Sequence, residues 1–299
     1  MSGGLVTEAR IAGHLLENEP MAQHTSWRVG GPADLYFRPA SIDDLASFLR
    51  RLPEDEPVFW LGLGSNLLVR DGGMRGVVIE THRLLRGIER AGDLAVRAEA
   101  GVACAKLARF CARAGLGPAA FFAGIPGTVG GALAMNAGAF GGETWRHVVE
   151  VEVIDRLGEI RTRACGEYRI GYRSVEGPPG EWFIAARMRF ERDASASPQA
   201  IRDLLAARKA SQPIGAPSCG SVFRNPPGGF AAELIETAGL KGHRIGDAAV
   251  SGKHANFIIN CGAARAADIE ALIEHVVETV ERVHGIRLET EVRIVGEPA

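Results

Sequence analysis

The chain has 299 residues, 46% of them hydrophobic and 23% charged, with a formal net charge of −2. That length points to two or three domains around well-buried cores. The interspersed, near-neutral charge excludes a nucleic-acid footprint, and no apolar stretch is long enough to span a bilayer. The stretch Met1 to Pro20 carries Glu8, Glu17 and Glu19 and does not read as a signal peptide. Cys104, Cys111, Cys165, Cys219 and Cys261 are widely spaced, without a CxxC. This speaks against a disulfide framework and against a zinc site, and for a reducing cytoplasm, and no metal is expected.

In chain order, the first predicted helix runs from Ser41 to Leu52. Ser41 is its N-cap, with Asp44 three residues on, and Ile42, Leu45, Phe48, Leu49 and Leu52 share a face. Val58 to Leu63 reads as a buried strand, followed by Leu67–Val69, Val77–Glu80 and Leu94–Ala98. A helix covers Cys104 to Ala114 and stops at Gly115. Phe122 to Gly142 is a Gly/Ala-rich run without lasting periodicity. Val148–Asp155, Glu159–Arg163 and Trp182–Phe190 alternate as strands do. Asp193 to Pro198 is a polar link, Gln199 to Lys209 a helix, and Ala267 to Val283 a long amphipathic helix ended by Gly285. Leu288 to Val295 reads as a closing strand, and the sum is α+β.

Two glycine-rich loops carry the first chemical signals. Gly62-Leu63-Gly64-Ser65-Asn66 follows a strand, but Leu67 replaces the third glycine of a dinucleotide fingerprint and strand residues follow. The loop reads as a backbone nest for phosphate or as an ordinary hairpin turn. Ile125 to Ala132, continuing to Gly138, suits a flat ring or pyrophosphate lying on bare backbone, or else a tight helix contact. Tyr172-Arg173-Ser174, Gly220-Ser221-Val222-Phe223-Arg224-Asn225-Pro226 and Leu288-Glu289-Thr290-Glu291 complete the set. Each alone has a plain structural reading: a surface cation, a turn hydroxyl, an exposed edge. Strand alternation places Glu289 and Glu291 on one face.

Taken together and in order, these segments resemble the UDP-N-acetylenolpyruvoylglucosamine reductase family. The resemblance also includes His24–Trp27, Gly30–Asp34, Glu233–Gly242 and Ser251 with Lys253–Phe257, and covers about residues 20 to 296. It implies a vanillyl-alcohol-oxidase-type FAD-binding fold of two subdomains (1–75 and 76–197) and a smaller α+β substrate domain (198–299). The short segment between Phe190 and Lys209 resembles the form of the family that lacks a tyrosine-bearing loop. FAD, bound non-covalently, is expected at Gly62, Gly64, Ser65, Asn66, Leu67, Pro126, Gly127, Thr128, Gly130, Gly131, Asn136, Ala137 and Gly138.

The implied activity is that of a UDP-N-acetylmuramate dehydrogenase, an oxidoreductase of peptidoglycan synthesis. NADPH supplies hydride through FAD to the enolpyruvyl ether of UDP-N-acetylglucosamine. Arg173 meets the substrate carboxylate, Ser221 donates the proton and Glu291 stands opposite. Tyr172, Asn225, Lys253, His254 and Asn256 are the expected substrate contacts. The partners are thus small molecules, with no nucleic acid and no membrane insertion. The chain departs from the pattern at His24, Met74 and Cys219, and Cys219 is expected to make the Ser221 segment sensitive to thiol reagents. The alternatives are a flavin-dependent carbohydrate oxidase and a non-catalytic sugar-nucleotide binder.

Overall fold

The computed structural model of the chain describes residues 11–299; residues 1–10 of the Met1–Pro20 stretch lie outside them. In chain order come β1 (His14–Pro20), β2 (Pro32–Arg38), α1 (Ile42–Arg51), β3 (Val58–Leu61), β4 (Leu67–Val69), β5 (Met74–Glu80), β6 (Ile88–Arg90) and β7 (Ala95–Glu99). Next are α2 (Cys104–Arg113), β8 (Leu116–Gly117), α3 (Val129–Ala134), β9 (Gly138–Ala139), β10 (Gly142–Glu143), β11 (Val148–Asp155) and β12 (Ile160–Ala164). Then follow β13 (Arg169–Gly171), β14 (Ser174–Glu176), β15 (Glu181–Arg189), β16 (Glu191–Arg192), α4 (Pro198–Ser211) and α5 (Ala231–Thr237). The chain closes with β17 (Arg244–Ile245), β18 (Ala248–Val250), β19 (Ile258–Asn260), α6 (Ala266–His284) and β20 (Arg293–Val295). None of the described helices is long and apolar enough to cross a membrane.

The described chain divides into two units. One contains Leu35–Gly62, Gly76–Ile201 and the chain up to Asn18. Its main sheet is five-stranded and antiparallel, in the order β12-β11-β15-β7-β6. β3 pairs in parallel with β5, from Val58 opposite Val77 to Leu61 opposite Glu80. α1 starts where its sequence says it should: Ser41 Oγ accepts the Asp44 N–H at 3.0 Å. The Asp44 carboxylate turns away and takes the N–H groups of Ala12, Gly13 and Ala40. The apolar face of α1 then buries Leu45, Phe48 and Leu49 against Phe37, Val77, Ile79, Ile154 and Ile184. Each such side chain contributes roughly 1.5–3 kcal/mol of transfer free energy. In the Gly/Ala-rich run, α3 is only six residues long, too few to show a period in sequence.

The second unit comprises Glu19–Asp34, Leu63–Arg75 and Arg202–Ala299. Its core forms where α6 lays Ile269, Leu272, Ile273, Val276 and Val280 against Trp27, Leu68, Val222, Phe223 and Val250. Gly285, at φ +69°, ends α6. At the other end the Asp71 carboxylate accepts the N–H groups of Ala266 and Ala267 at 3.0 and 2.9 Å. Asp71 is thus a cap supplied from far along the chain, favourable at the positive end of the helix dipole. Arg70 pairs with Glu270 at 2.7 Å. The closing strand is shorter than the alternation suggested. Only β20 forms a ladder, parallel to β4, while Thr290 makes an isolated bridge with Phe223.

Candidate active site

The first glycine loop joins β3 to β4. Gly64 has φ +60°, and a Cβ there would lie 1.9 Å from the His24 carbonyl oxygen. The Gly64 carbonyl in turn accepts the Ser26 N–H at 3.1 Å. Trp27 anchors this segment by donating its indole N–H to Ile258 O at 2.8 Å. In the first unit, a Cβ on Gly62 would meet Thr128 Oγ1 at 2.6 Å. The Gly62 carbonyl faces His82 Nδ1 at 3.1 Å. His82 Nε2 stands 3.2 Å from Glu80, a carboxylate only 1% exposed that also meets Arg38 and Arg83. Sequence reading missed Glu80 and His82 as supports for this loop. Their only trace was an acid ending a buried strand and a histidine two residues on.

The second glycine loop holds Arg173. Thr128 caps α3 through the Gly131 N–H, and the N–H groups of Val129 and Gly130 go to Val102 and Ala100 carbonyls. Asn136 is buried at φ +46°. Its Oδ1 accepts the Trp145 N–H, and its Nδ2 donates to Gly171 O, both at 3.1 Å. That second bond ties the loop to the β13–β14 hairpin, in which Gly171 pairs with Ser174. Tyr172 and Arg173 are therefore the two central turn residues. The Arg173 guanidinium donates to Gly138 O at 3.1 Å and Asn136 O at 3.4 Å. It also lies 5.2 Å from the centre of the half-exposed Tyr172 ring.

Ser221 and Glu291 belong to the second unit. Gly220, at φ +77° with open space around it, turns the chain into half-buried Ser221. Val222 follows, and its carbonyl accepts the Glu291 N–H at 2.7 Å. The Glu291 carbonyl accepts from Asn66 Nδ2 at 3.0 Å. One residue's backbone therefore links the serine segment, the glutamate segment and the first glycine loop. Glu291 is half-buried while Glu289 is exposed, so the two acids differ in environment.

The other expected substrate contacts have varied surroundings. Asn225 is exposed, and its Oδ1 accepts the Ala231 N–H at 3.1 Å, starting α5. Lys253 is exposed, with its ammonium on the Lys209 carbonyl. His254 sits edge-on to Phe257, its backbone N–H on Ser251 Oγ. Burial, then the nearby Lys241 charge, pushes the His254 pKa down. Asn256 is 4% exposed, and both ends of its amide bond Phe223 backbone. Among the described residues no cluster of His, Cys, Asp and Glu is placed to hold a metal.

A family model described as the C-terminal domain of UDP-N-acetylenolpyruvoylglucosamine reductase matches residues 212–295. A model described as an FAD binding domain matches residues 33–163. The UDP-N-acetylenolpyruvoylglucosamine reductase of Alkalilimnicola ehrlichii is 61% identical over 295 residues, covering 98% of this chain and 99% of that protein. The chain belongs to the UDP-N-acetylenolpyruvoylglucosamine reductase family. The Methylococcus capsulatus member is 58% identical, over 97% of this chain and 96% of its own length. The crystal structure of the Thermus caldophilus member is 33% identical, covers 94% of this chain and 98% of its own, and superposes with a TM-score of 0.79. The fold is accordingly the α+β, vanillyl-alcohol-oxidase type of FAD-binding fold.

Both loops fit an FAD of this family. No acceptor among the described residues takes the N–H of Gly62, Gly64, Ser65, Gly127 or Thr128. Bare backbone with unengaged donors is what a pyrophosphate requires. Gly64→Ala places a methyl group on the His24 carbonyl and forces a left-handed residue to carry a Cβ. The expected cost is roughly 2–3 kcal/mol of stability, with weaker flavin retention. Thermal melts and the flavin-to-protein absorbance ratio check both.

The expectation for Cys219 is corrected by its burial. It is 5% exposed, its Sγ donates to Leu67 O at 3.3 Å, and burial pushes its pKa up. Cys104 and Cys111 are pushed up to about 12 by the same cause. Cys165 and Cys261 are exposed. A thiol-disulfide reagent is therefore expected to titrate these two at once in the native enzyme, and the other three only after unfolding. Mass mapping of the labelled peptides reads this directly.

Proposed function

We propose that this chain reduces the enolpyruvyl ether of UDP-N-acetylglucosamine to UDP-N-acetylmuramate for peptidoglycan synthesis. The observation that carries the reading is the Val222–Glu291 bond, which sets Ser221 and Glu291 on neighbouring segments of one unit. FAD, when bound, supplies hydride taken from NADPH to the alkene carbon distal to the ether oxygen. Negative charge then develops at the neighbouring carbon and spreads into the substrate carboxylate. Arg173 meets that carboxylate with a planar fork of donors. Ser221 delivers one proton to the charged carbon, so hydride and proton together saturate the double bond. Glu291 binds opposite, next to Ser221.

The glycine loops take the flavin, and the sugar nucleotide is met by Tyr172 and, in the C-terminal part from residue 198, by Asn225, Lys253 and His254. Unpaired cysteines and a need for NADPH suit the cytoplasm. The test is the visible spectrum under anaerobic NADPH, followed by the enolpyruvyl sugar nucleotide. Flavin absorbance bleaches and then returns with that substrate. Recovery only on admitting oxygen would mark an oxidase, and a protein that takes up no flavin would be a binder.

A further inference from the structure

Residues Val222–Arg224 are gripped along both edges. On one edge the Glu291 N–H donates to Val222 O at 2.7 Å, and the Arg224 N–H to Glu289 O at 2.9 Å. On the other edge stands Asn256. Its backbone carbonyl accepts the Val222 N–H at 2.9 Å. Its Oδ1 accepts the Phe223 N–H at 2.9 Å, and its Nδ2 donates to Phe223 O at 2.8 Å. The amide orientation is fixed, because only Nδ2 has protons to give a carbonyl and only Oδ1 can take one from an N–H. One side chain thus does what a neighbouring strand would do, presenting a donor and an acceptor to the backbone of a single residue. Val222, Phe223 and Asn256 are all at most 4% exposed.

An amide so buried, with both ends on protein backbone, has nothing to offer a sugar nucleotide. The segment it holds is the one that begins with Ser221, whose far edge is bonded by Glu291. We propose that Asn256 is a positioning residue, which fixes Ser221 against the substrate by clamping the peptide two residues beyond it. The inference rests on the reading of Ser221 as proton donor. Without the amide, the Glu291 bond and the Val222 N–H bond to the Asn256 carbonyl remain, but Phe223 loses both of its side-chain bonds, and the peptide that carries Ser221 shifts. A misplacement of about 1 Å at a reacting group is enough to cost about 10²-fold in rate.

The experiment is anaerobic stopped-flow on the flavin-loaded enzyme, with NADPH first and the enolpyruvyl sugar nucleotide second. The variants are Asn256→Leu, Asn256→Asp, Ser221→Ala and Ser221→Ala with Asn256→Leu. Asn256→Leu is expected to bleach at the wild-type rate and to recover about 10- to 100-fold more slowly. The substrate concentration at half-maximal recovery stays unchanged, as a substrate contact would not allow. Asn256→Asp keeps the acceptor for Phe223 N–H and loses the donor, so it falls between, and it serves if the leucine variant does not fold. The double variant is expected to be no slower than Ser221→Ala, because Asn256 acts only through that serine. Wild-type recovery in both Asn256 variants overturns the proposal. So does a raised half-saturation with normal recovery, or a double variant slower by the product of the two losses. If Ser221→Ala itself recovers at the wild-type rate, the proton-donor reading falls and takes the proposal with it. If Ser221→Ala is slow and the Asn256 variants are fast, the proposal falls alone.

Discussion

Ser221→Ala is expected to bleach normally with NADPH and to recover about 10²–10³ times more slowly when the enolpyruvyl sugar nucleotide is added. That factor corresponds to about 2.7–4 kcal/mol of lost transition-state stabilisation. The substitution removes a hydroxyl and leaves the Cβ. The bonds that hold the segment begin at Val222, three of them with Asn256, one with Glu291 and one with Glu289. The melting temperature should therefore stay close to wild type, since a half-exposed hydroxyl outside any network contributes within about 0.5 kcal/mol. A free serine is a weak acid, so in the proposed role the proton would move only because the carbon next to the carboxylate becomes strongly basic once hydride has arrived. The loss belongs to the second half-reaction for that reason. Equal loss in both half-reactions would remove Ser221 from this role.

The helices were the most legible part of the fold, because they carry their own instructions. Ser41 caps α1 and Gly285 ends α6, and both are one-residue signals next to a long apolar stripe. The two ends of the closing segment were not equally readable. Leu288 to Val295 alternates as a strand does, yet only Arg293–Val295 has a strand to pair with. The residues before it bond the Ser221 segment instead. Periodicity reports which face is buried and is silent on which partner lies alongside. The support of the site was hidden for the same reason. Asn256 grips a peptide 33 positions earlier in the chain, and Asn66 grips one 225 positions later. The glycine loops announced themselves by composition. His82 and Glu80, which stand beside Gly62, did not, because one histidine after a strand is ordinary in any sequence.

Arg173→Gly is expected to leave the melting temperature within a few degrees of wild type while slowing recovery by about 10²–10³-fold. The two halves of this prediction have separate causes. Arg173 occupies the second central position of its turn at φ +54°, where a residue with a Cβ is strained by about 1–2 kcal/mol. Glycine removes that strain, and the gain offsets the lost bonds to Asn136 and Gly138 carbonyls, each worth about 1 kcal/mol. In the proposed role turnover has no such offset, because the substrate carboxylate would lose its bidentate partner as charge builds on it. Arg173→Lys sharpens the point. It keeps the positive charge and the strain but replaces the planar fork by a single ammonium, so its recovery should fall between wild type and the glycine variant. Melting curves read beside stopped-flow recovery rates decide the matter. If glycine lowers stability sharply, the left-handed arginine is held for the fold. If stability holds and recovery collapses, the strain is kept to aim the guanidinium, as backbone strain at functional sites commonly is.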